Sequence, residues 1–129
     1  MGAKDTPYAY GAFLYDMYMD TTFPMKPPKV NLMTTGNGSV RFNPNLYAGG
    51  KVCLSLLGTW SGSASQMWNQ NKSSLYQVCV SIQALIMHND IYFNEPGWAG
   101  LKNSPNGKLK NEAYCKFIRV ANMKYAMLE

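Results

Sequence analysis

The 129-residue chain is poor in the side chains on which most enzyme sites are built. It holds one histidine, His88, and three cysteines, Cys53, Cys79 and Cys115, set far apart. Such a set offers no ligand cluster for a metal and no Cys–His pair, so neither metal catalysis nor protease chemistry is expected. His88 falls toward the end of a predicted helix, which suits a helix C-terminal or surface imidazole. The odd, dispersed cysteines exclude a disulfide framework and imply a reducing compartment, cytosol or nucleus. Two Asn-x-Ser triplets, at Asn37 and Asn71, would count only in a secreted chain. Nothing behind Met1-Gly2-Ala3-Lys4-Asp5 reads as a signal peptide, and no apolar run is long enough to span a bilayer, so no membrane partner is expected.

Basic runs are missing too. The 12 Lys and Arg outnumber the 7 Asp and Glu, for a net charge of +5, but they are scattered along the chain. Scattered cations leave no continuous grip on a phosphate backbone, so no nucleic-acid partner is expected. There is no internal repeat. A chain of this length makes one core, and we expect a single domain over residues 1–129. The Gly-, Asn-, Ser- and Lys-rich stretch from Gly100 to Lys110 reads as a surface connection inside it.

What is present begins with strands. Ala12 to Met19 is rich in aromatics and places Phe13, Tyr15, Met17 and Met19 on one face of an extended segment. Lys29 to Met33 is a second strand, and the prolines of Phe23-Pro24-Met25-Lys26-Pro27-Pro28 make the link a rigid loop. Gly36-Asn37-Gly38 turns the chain toward a third strand at Ser39 to Phe42. Short links between consecutive strands imply an antiparallel meander, packed against helices in an α+β fold. Ser61 to Gln70 is an exposed polar loop anchored by its tryptophans. After it, Ser74 and Gln77 form a capping box, and Leu75, Val78, Cys79, Ile82, Leu85 and Ile86 recur at helical spacing, which puts Cys79 in the core. A last helix carries Phe117, Ile118, Ala121, Tyr125 and Leu128 on one side, with Cys115 near its start.

The stretch Phe42 to Leu57 sets a carboxamide, Asn45, and a thiol, Cys53, a short loop apart. A thiolate can attack a carbonyl and hold the acyl group, while an amide N–H can steady the oxygen that becomes negative, so the pairing points to acyl transfer. The Gly49-Gly50-Lys51 turn is expected to leave the thiol near the surface, with Lys51 as a weak source of positive charge. The plainer alternative is that a cysteine between Val52 and Leu54 is a small buried hydrophobe.

The order Thr6-Pro7-Tyr8 with Gly11, Phe23-Pro24, Pro27-Pro28, Asn43-Pro44-Asn45, Cys53 and Trp60 resembles the ubiquitin-conjugating enzyme family. The wording of Arg41 to Tyr47, Val52 to Trp60 and Tyr92 to Gly97 is similar to the catalytic domain of the giant inhibitor-of-apoptosis members of that family. The resemblance implies that Cys53 forms the thioester with ubiquitin and that Asn45 supports the oxyanion or the active-site loop. It implies that Glu95 lies near the incoming lysine, against the bland reading of a solvated carboxylate. Phe23, Pro24 and Trp60 would face a ligase, against simple packing of a rigid loop. The implied partners are ubiquitin, its activating enzyme, a ligase and a substrate lysine; no cofactor is implied, because ATP is used by the activating enzyme. Two departures stand out: only five residues precede Thr6, so the family's first helix and first strand are lacking, and Asn43 stands where His is common. The competing reading is a non-catalytic ubiquitin- or ligase-binding variant of the same fold.

Overall fold

The computed structural model describes residues 1–128. The expected single domain, 1–129, ends on Glu129, which lies outside the described residues. Strands β1 (Tyr15–Tyr18) and β2 (Lys29–Leu32) pair antiparallel with Tyr15 opposite Leu32 and Tyr18 opposite Lys29. Alternation on β1 follows the side-chain period of a strand: Tyr15 and Met17 pack on the core, Asp16 and Tyr18 face out. Met19, expected on the inner face, lies beyond the strand and is exposed.

The third strand of the expected meander does not form at Ser39–Phe42. Gly36, Asn37 and Gly38 all have positive φ, and the coil they make is locked by bonds from the Ser39 and Val40 amides to the Thr35 carbonyl. A chain wound that tightly cannot run straight into a ladder. The second edge of β2 is met instead by residues just before Cys53. The Leu32 amide donates to the Gly50 carbonyl at 2.8 Å, and Asn31 bridges Lys51 antiparallel. Gly50 allows this approach, since its φ is +92° and a Cβ there would run into the Asn31 carboxamide.

Helix α1 (Leu75–Ser81) opens on the predicted capping box: the Gln77 amide donates to the Ser74 hydroxyl and the Ser74 amide to Gln77 Oε1. It continues into a π turn at Ile82–Ile86. Val78, Ile82 and Ile86 are buried, while Cys79 is exposed and Leu85 is 62% exposed. The apolar stripe is therefore narrower than the sequence pattern, because the wider turn keeps Ile82 and Ile86 inward and swings Leu85 out.

Helix α2 (Pro105–Asn122) begins within the stretch expected to be a connection. Ser104 caps it by accepting from the Gly107 amide, and Pro105 occupies the first position, where no amide donor is needed. Cys115, Ile118 and Ala121 face the core, and Cys115 sits mid-helix. Phe117 and Leu128, expected on that side, are exposed. Among the described residues no helix precedes β1; Met1–Ala12 straps across the end of α2, where Asn122 Nδ2 donates to the carbonyls of Pro7 and Ala9. No helix of the described residues is long and apolar enough to cross a membrane.

The π turn makes neighbouring positions differ sharply. Ile86→Ala is expected to lower unfolding stability by about 2–5 kcal/mol, and Leu85→Gln to change it by no more than about 0.5 kcal/mol, as read from urea midpoints.

Candidate active site

Cys53 ends a short hairpin hung on the edge of β2. Leu46 bridges Val52, and the Tyr47 amide donates to the Lys51 carbonyl at 3.0 Å. At the open end the Cys53 amide donates to the Asn45 carbonyl and Asn45 Nδ2 donates back to the Cys53 carbonyl, each at 2.9 Å. Thr59 closes the far side, where its hydroxyl accepts from the Leu54 amide at 3.0 Å and donates to the Val52 carbonyl at 2.7 Å. The backbone of Cys53 is thus pinned from both directions.

The sequence-predicted pair, Cys53 and Asn45, is brought together, with two differences from expectation. Cys53 is only 2% exposed, not surface-lying; the chain turns directly after it at Ser55–Leu57, and Thr59 bonds back to the Val52 carbonyl. The cysteine lies with its neighbours Val52 and Leu54 among the buried apolar residues, as the plainer sequence alternative has it. The Asn45 carboxamide donates one of its two N–H groups to the Cys53 carbonyl, which sets the orientation of the group; its Oδ1 is buried without a partner among the described residues. This is the geometry of a loop clamp.

Asn43, read from sequence only as a departure, is the hub beneath that clamp. Fully buried, it donates to the Tyr8 hydroxyl at 2.9 Å and to the Ile86 carbonyl at 2.8 Å. Its Oδ1 accepts from the Asn45 amide at 3.0 Å and from Asn94 Nδ2 at 3.1 Å. The Tyr8 hydroxyl in turn donates to the Phe42 carbonyl at 2.8 Å. Burial pushes the Tyr8 phenol well above its ordinary pKa, and the bond from Asn43 offsets part of that rise. Nothing in the sequence reading marked Asn43 as this hub, since its partners Tyr8, Ile86 and Asn94 lie far along the chain.

Glu95 stands apart from the thiol. It faces Arg41 at 3.9 Å and shares with it a small cavity lined by Pro44, Tyr92, Trp98 and Tyr114. Both side chains are partly exposed, so the ion pair contributes at most about 1 kcal/mol. Arg41 does more through its other contacts: it donates to the Pro44 carbonyl at 2.6 Å and lies over the Tyr47 ring at 4.0 Å. Tyr114 is pushed up to about 12, by burial first, with Arg41 lowering and Glu95 raising its pKa.

Phe23 and Pro24 form a third group, joined by a cis peptide bond. The ring beside Phe23 is that of Trp68, with centroids 5.8 Å apart, and Trp68 Nε1 donates to the Pro24 carbonyl at 2.7 Å. Trp60 is half-buried elsewhere on the loop. The polar loop is anchored as expected, but Trp68 is the residue that ties it to the proline segment.

Fold and site together describe an α+β domain that presents one cysteine on a hairpin clamped by asparagine side chains. The family model described as ubiquitin-conjugating enzyme matches residues 1–100. Over 128 residues, 99% of this chain, it is 52% identical to the human protein named dual E2 ubiquitin-conjugating enzyme/E3 ubiquitin-protein ligase BIRC6, of which it spans 3%. It is 48% identical, over 99% of its length, to probable ubiquitin-conjugating enzyme protein 17 of Caenorhabditis elegans and spans 17% of that protein. For probable ubiquitin-conjugating enzyme E2 R521 of Acanthamoeba polyphaga mimivirus the identity is 46% over 99% of this chain and 9% of the relative. The chain belongs to the ubiquitin-conjugating enzyme family, as its motifs imply.

Two outcomes test this geometry. Asn43→Ala strands partners in the interior and is expected to cost about 3 kcal/mol or more, by denaturant unfolding. In a spectrophotometric titration, Glu95→Gln should lower the Tyr114 pKa and Arg41→Gln should raise it, because the phenolate is repelled by the first group and held by the second.

Proposed function

We propose that this chain accepts ubiquitin as a thioester on Cys53 and passes it to a substrate lysine or a ligase. The observation that carries the reading is the reciprocal pinning of Cys53 and Asn45, in a chain of this family. In the first step the Cys53 thiolate attacks the thioester carbonyl at the ubiquitin C-terminus. A new C–S bond forms, the bond to the activating enzyme breaks, and that enzyme's thiol takes up a proton. In the second, a neutral lysine amine attacks the same carbonyl, a C–N bond forms, the C–S bond breaks, and the proton the nitrogen loses passes to the departing Cys53 sulfur or to water. Neither step takes a cofactor from this chain.

Asn45 acts in this scheme as the loop support, since its carboxamide is turned onto the Cys53 carbonyl. Glu95 orients the lysine ammonium; what supports this is that its cavity shares Pro44 with the motif bearing Asn45. Phe23, Pro24 and Trp60 face the ligase, with Trp68 holding the first two in place. Residues 1–129 act as one unit, in cytosol or nucleus, with ubiquitin, activating enzyme, ligase and acceptor lysine as partners. One observation favours the second reading, a non-catalytic ubiquitin- or ligase-binding module: Cys53 is 2% exposed.

Incubation with activating enzyme, ubiquitin and ATP separates the two. The expected result is a reductant-sensitive adduct that Cys53→Ser converts to a stable ester or abolishes; a wild-type chain that never forms it is a binding module. Asn45→Ala is expected to slow transfer by about tenfold, short of the 10²–10³ loss typical of a deleted oxyanion donor.

A further inference from the structure

The lone imidazole does not lie idle at the surface. His88 is half-buried, and its two ring nitrogens are both engaged: Nδ1 accepts from the Asp90 amide at 2.9 Å, and Nε2 lies 2.9 Å from Asn94 Oδ1. A backbone N–H directed at Nδ1 leaves the proton of a neutral imidazole on Nε2, so His88 donates to Asn94 Oδ1. That fixes which way the Asn94 carboxamide turns. Its Nδ2 then faces two acceptors, Asn43 Oδ1 at 3.1 Å and the Ile86 carbonyl at 3.3 Å. Turned the other way, Asn94 would set oxygen against oxygen at Asn43 and nitrogen against the His88 donor.

At Asn43 the network reaches the Cys53 hairpin. Its Oδ1 also accepts from the Asn45 amide at 3.0 Å, and Asn45 Nδ2 donates to the Cys53 carbonyl at 2.9 Å. Asp90, His88, Asn94, Asn43, Asn45 and Cys53 form one connected hydrogen-bond network, in which Asn43 Oδ1 is the point where the Asn94 and Asn45 donors meet. The Asp90 carboxylate does not take part, being paired with Lys102 at 2.7 Å.

We propose that His88 and Asn94 are positioning residues for the Cys53 loop, acting through Asn43 and Asn45 and touching no substrate. The proposal rests on the thioester reading for its catalytic consequence, while its structural consequence stands without it. Removing the imidazole leaves Asn94 Oδ1 without its donor and its side chain less firmly held, which weakens its bond to Asn43 Oδ1 and, through Asn43, loosens the hairpin where Cys53 is pinned. A glutamine in place of His88 can still offer an N–H to Asn94 Oδ1.

The test uses the whole chain and two readouts. Amide hydrogen exchange should quicken by about tenfold at Asn45 and Cys53 in His88→Ala and in Asn94→Ala, with the Met87 amide, which bonds to Ile82 inside the π turn, unchanged. His88→Gln should restore wild-type exchange. If the wild-type chain also charges with ubiquitin, single-turnover discharge to free lysine should fall about tenfold in His88→Ala and recover in His88→Gln, with the lysine concentration for half-maximal rate unchanged. Exchange at Asn45 and Cys53 that stays at the wild-type rate, or that rises equally at Met87, overturns the proposal whether or not charging occurs. Failure of charging with the exchange pattern as expected would sink the proposed function alone.

Discussion

Everything near the cysteine depends on one buried carboxamide being fully satisfied. Asn43 uses both N–H groups and both lone pairs of its oxygen, the whole capacity of the side chain. An amide moved from water into an apolar interior without partners costs several kcal/mol, so a site of this kind is tolerable only when every bond is made. Once made, the four bonds fix a point in space for four separate stretches of chain: the N-terminal strap at Tyr8, the end of the π turn at Ile86, the 3₁₀ turn at Asn94, and the loop leading to Asn45. An imidazole, with only two ring nitrogens, could not fill all four places. Asn43 and its surroundings therefore belong together as a set.

The cysteine is placed by a second constraint that meets the first. The hairpin from Asn45 to Cys53 is hung on β2 because Gly50 lets Asn31 approach. One end of the hairpin is thereby tied to the sheet and the other, through Asn43, to the packed helices. The apolar cluster beneath, with Phe42, Leu46, Val52 and Ile86 each 1% exposed or less, supplies the burial that holds both anchors together. Arg41 adds stiffness on the outer side by bonding the Pro44 carbonyl and covering the Tyr47 ring.

Where local chemistry decides, the sequence was readable. The Ser74–Gln77 box, the first two strands, the proline loop and the Asn45–Cys53 pairing each depend on residues close together in the chain, and each is found. Where the outcome depends on partners far along the chain, it was not. Ser39–Phe42 has strand-like residues, yet the wound turn before it and the arrival of Gly50–Val52 at β2 decide the pairing. Cys79, Leu85 and Phe117 are apolar and sit next to buried positions, and a shift of one helical step separates core from solvent. Trp68 finds Pro24 across 44 positions, and His88 reaches Cys53 only through three asparagines, none of which carries a motif that announces the link.

The orphaned Asn45 oxygen shows what this arrangement does for chemistry. Leaving a buried acceptor without a partner costs on the order of 1–3 kcal/mol, and turning the carboxamide over would satisfy it no better, because the nitrogen would leave the Cys53 carbonyl bare. The fold carries that cost in exchange for a fixed Cys53 carbonyl. With the Cys53 amide and carbonyl both held by Asn45, and the peptides on either side held by Thr59, backbone motion at this residue would have to break several bonds at once. Rotation of the side chain about its first torsion breaks none of these bonds. The backbone dipoles beside Cys53 therefore keep their positions whichever staggered torsion its side chain adopts.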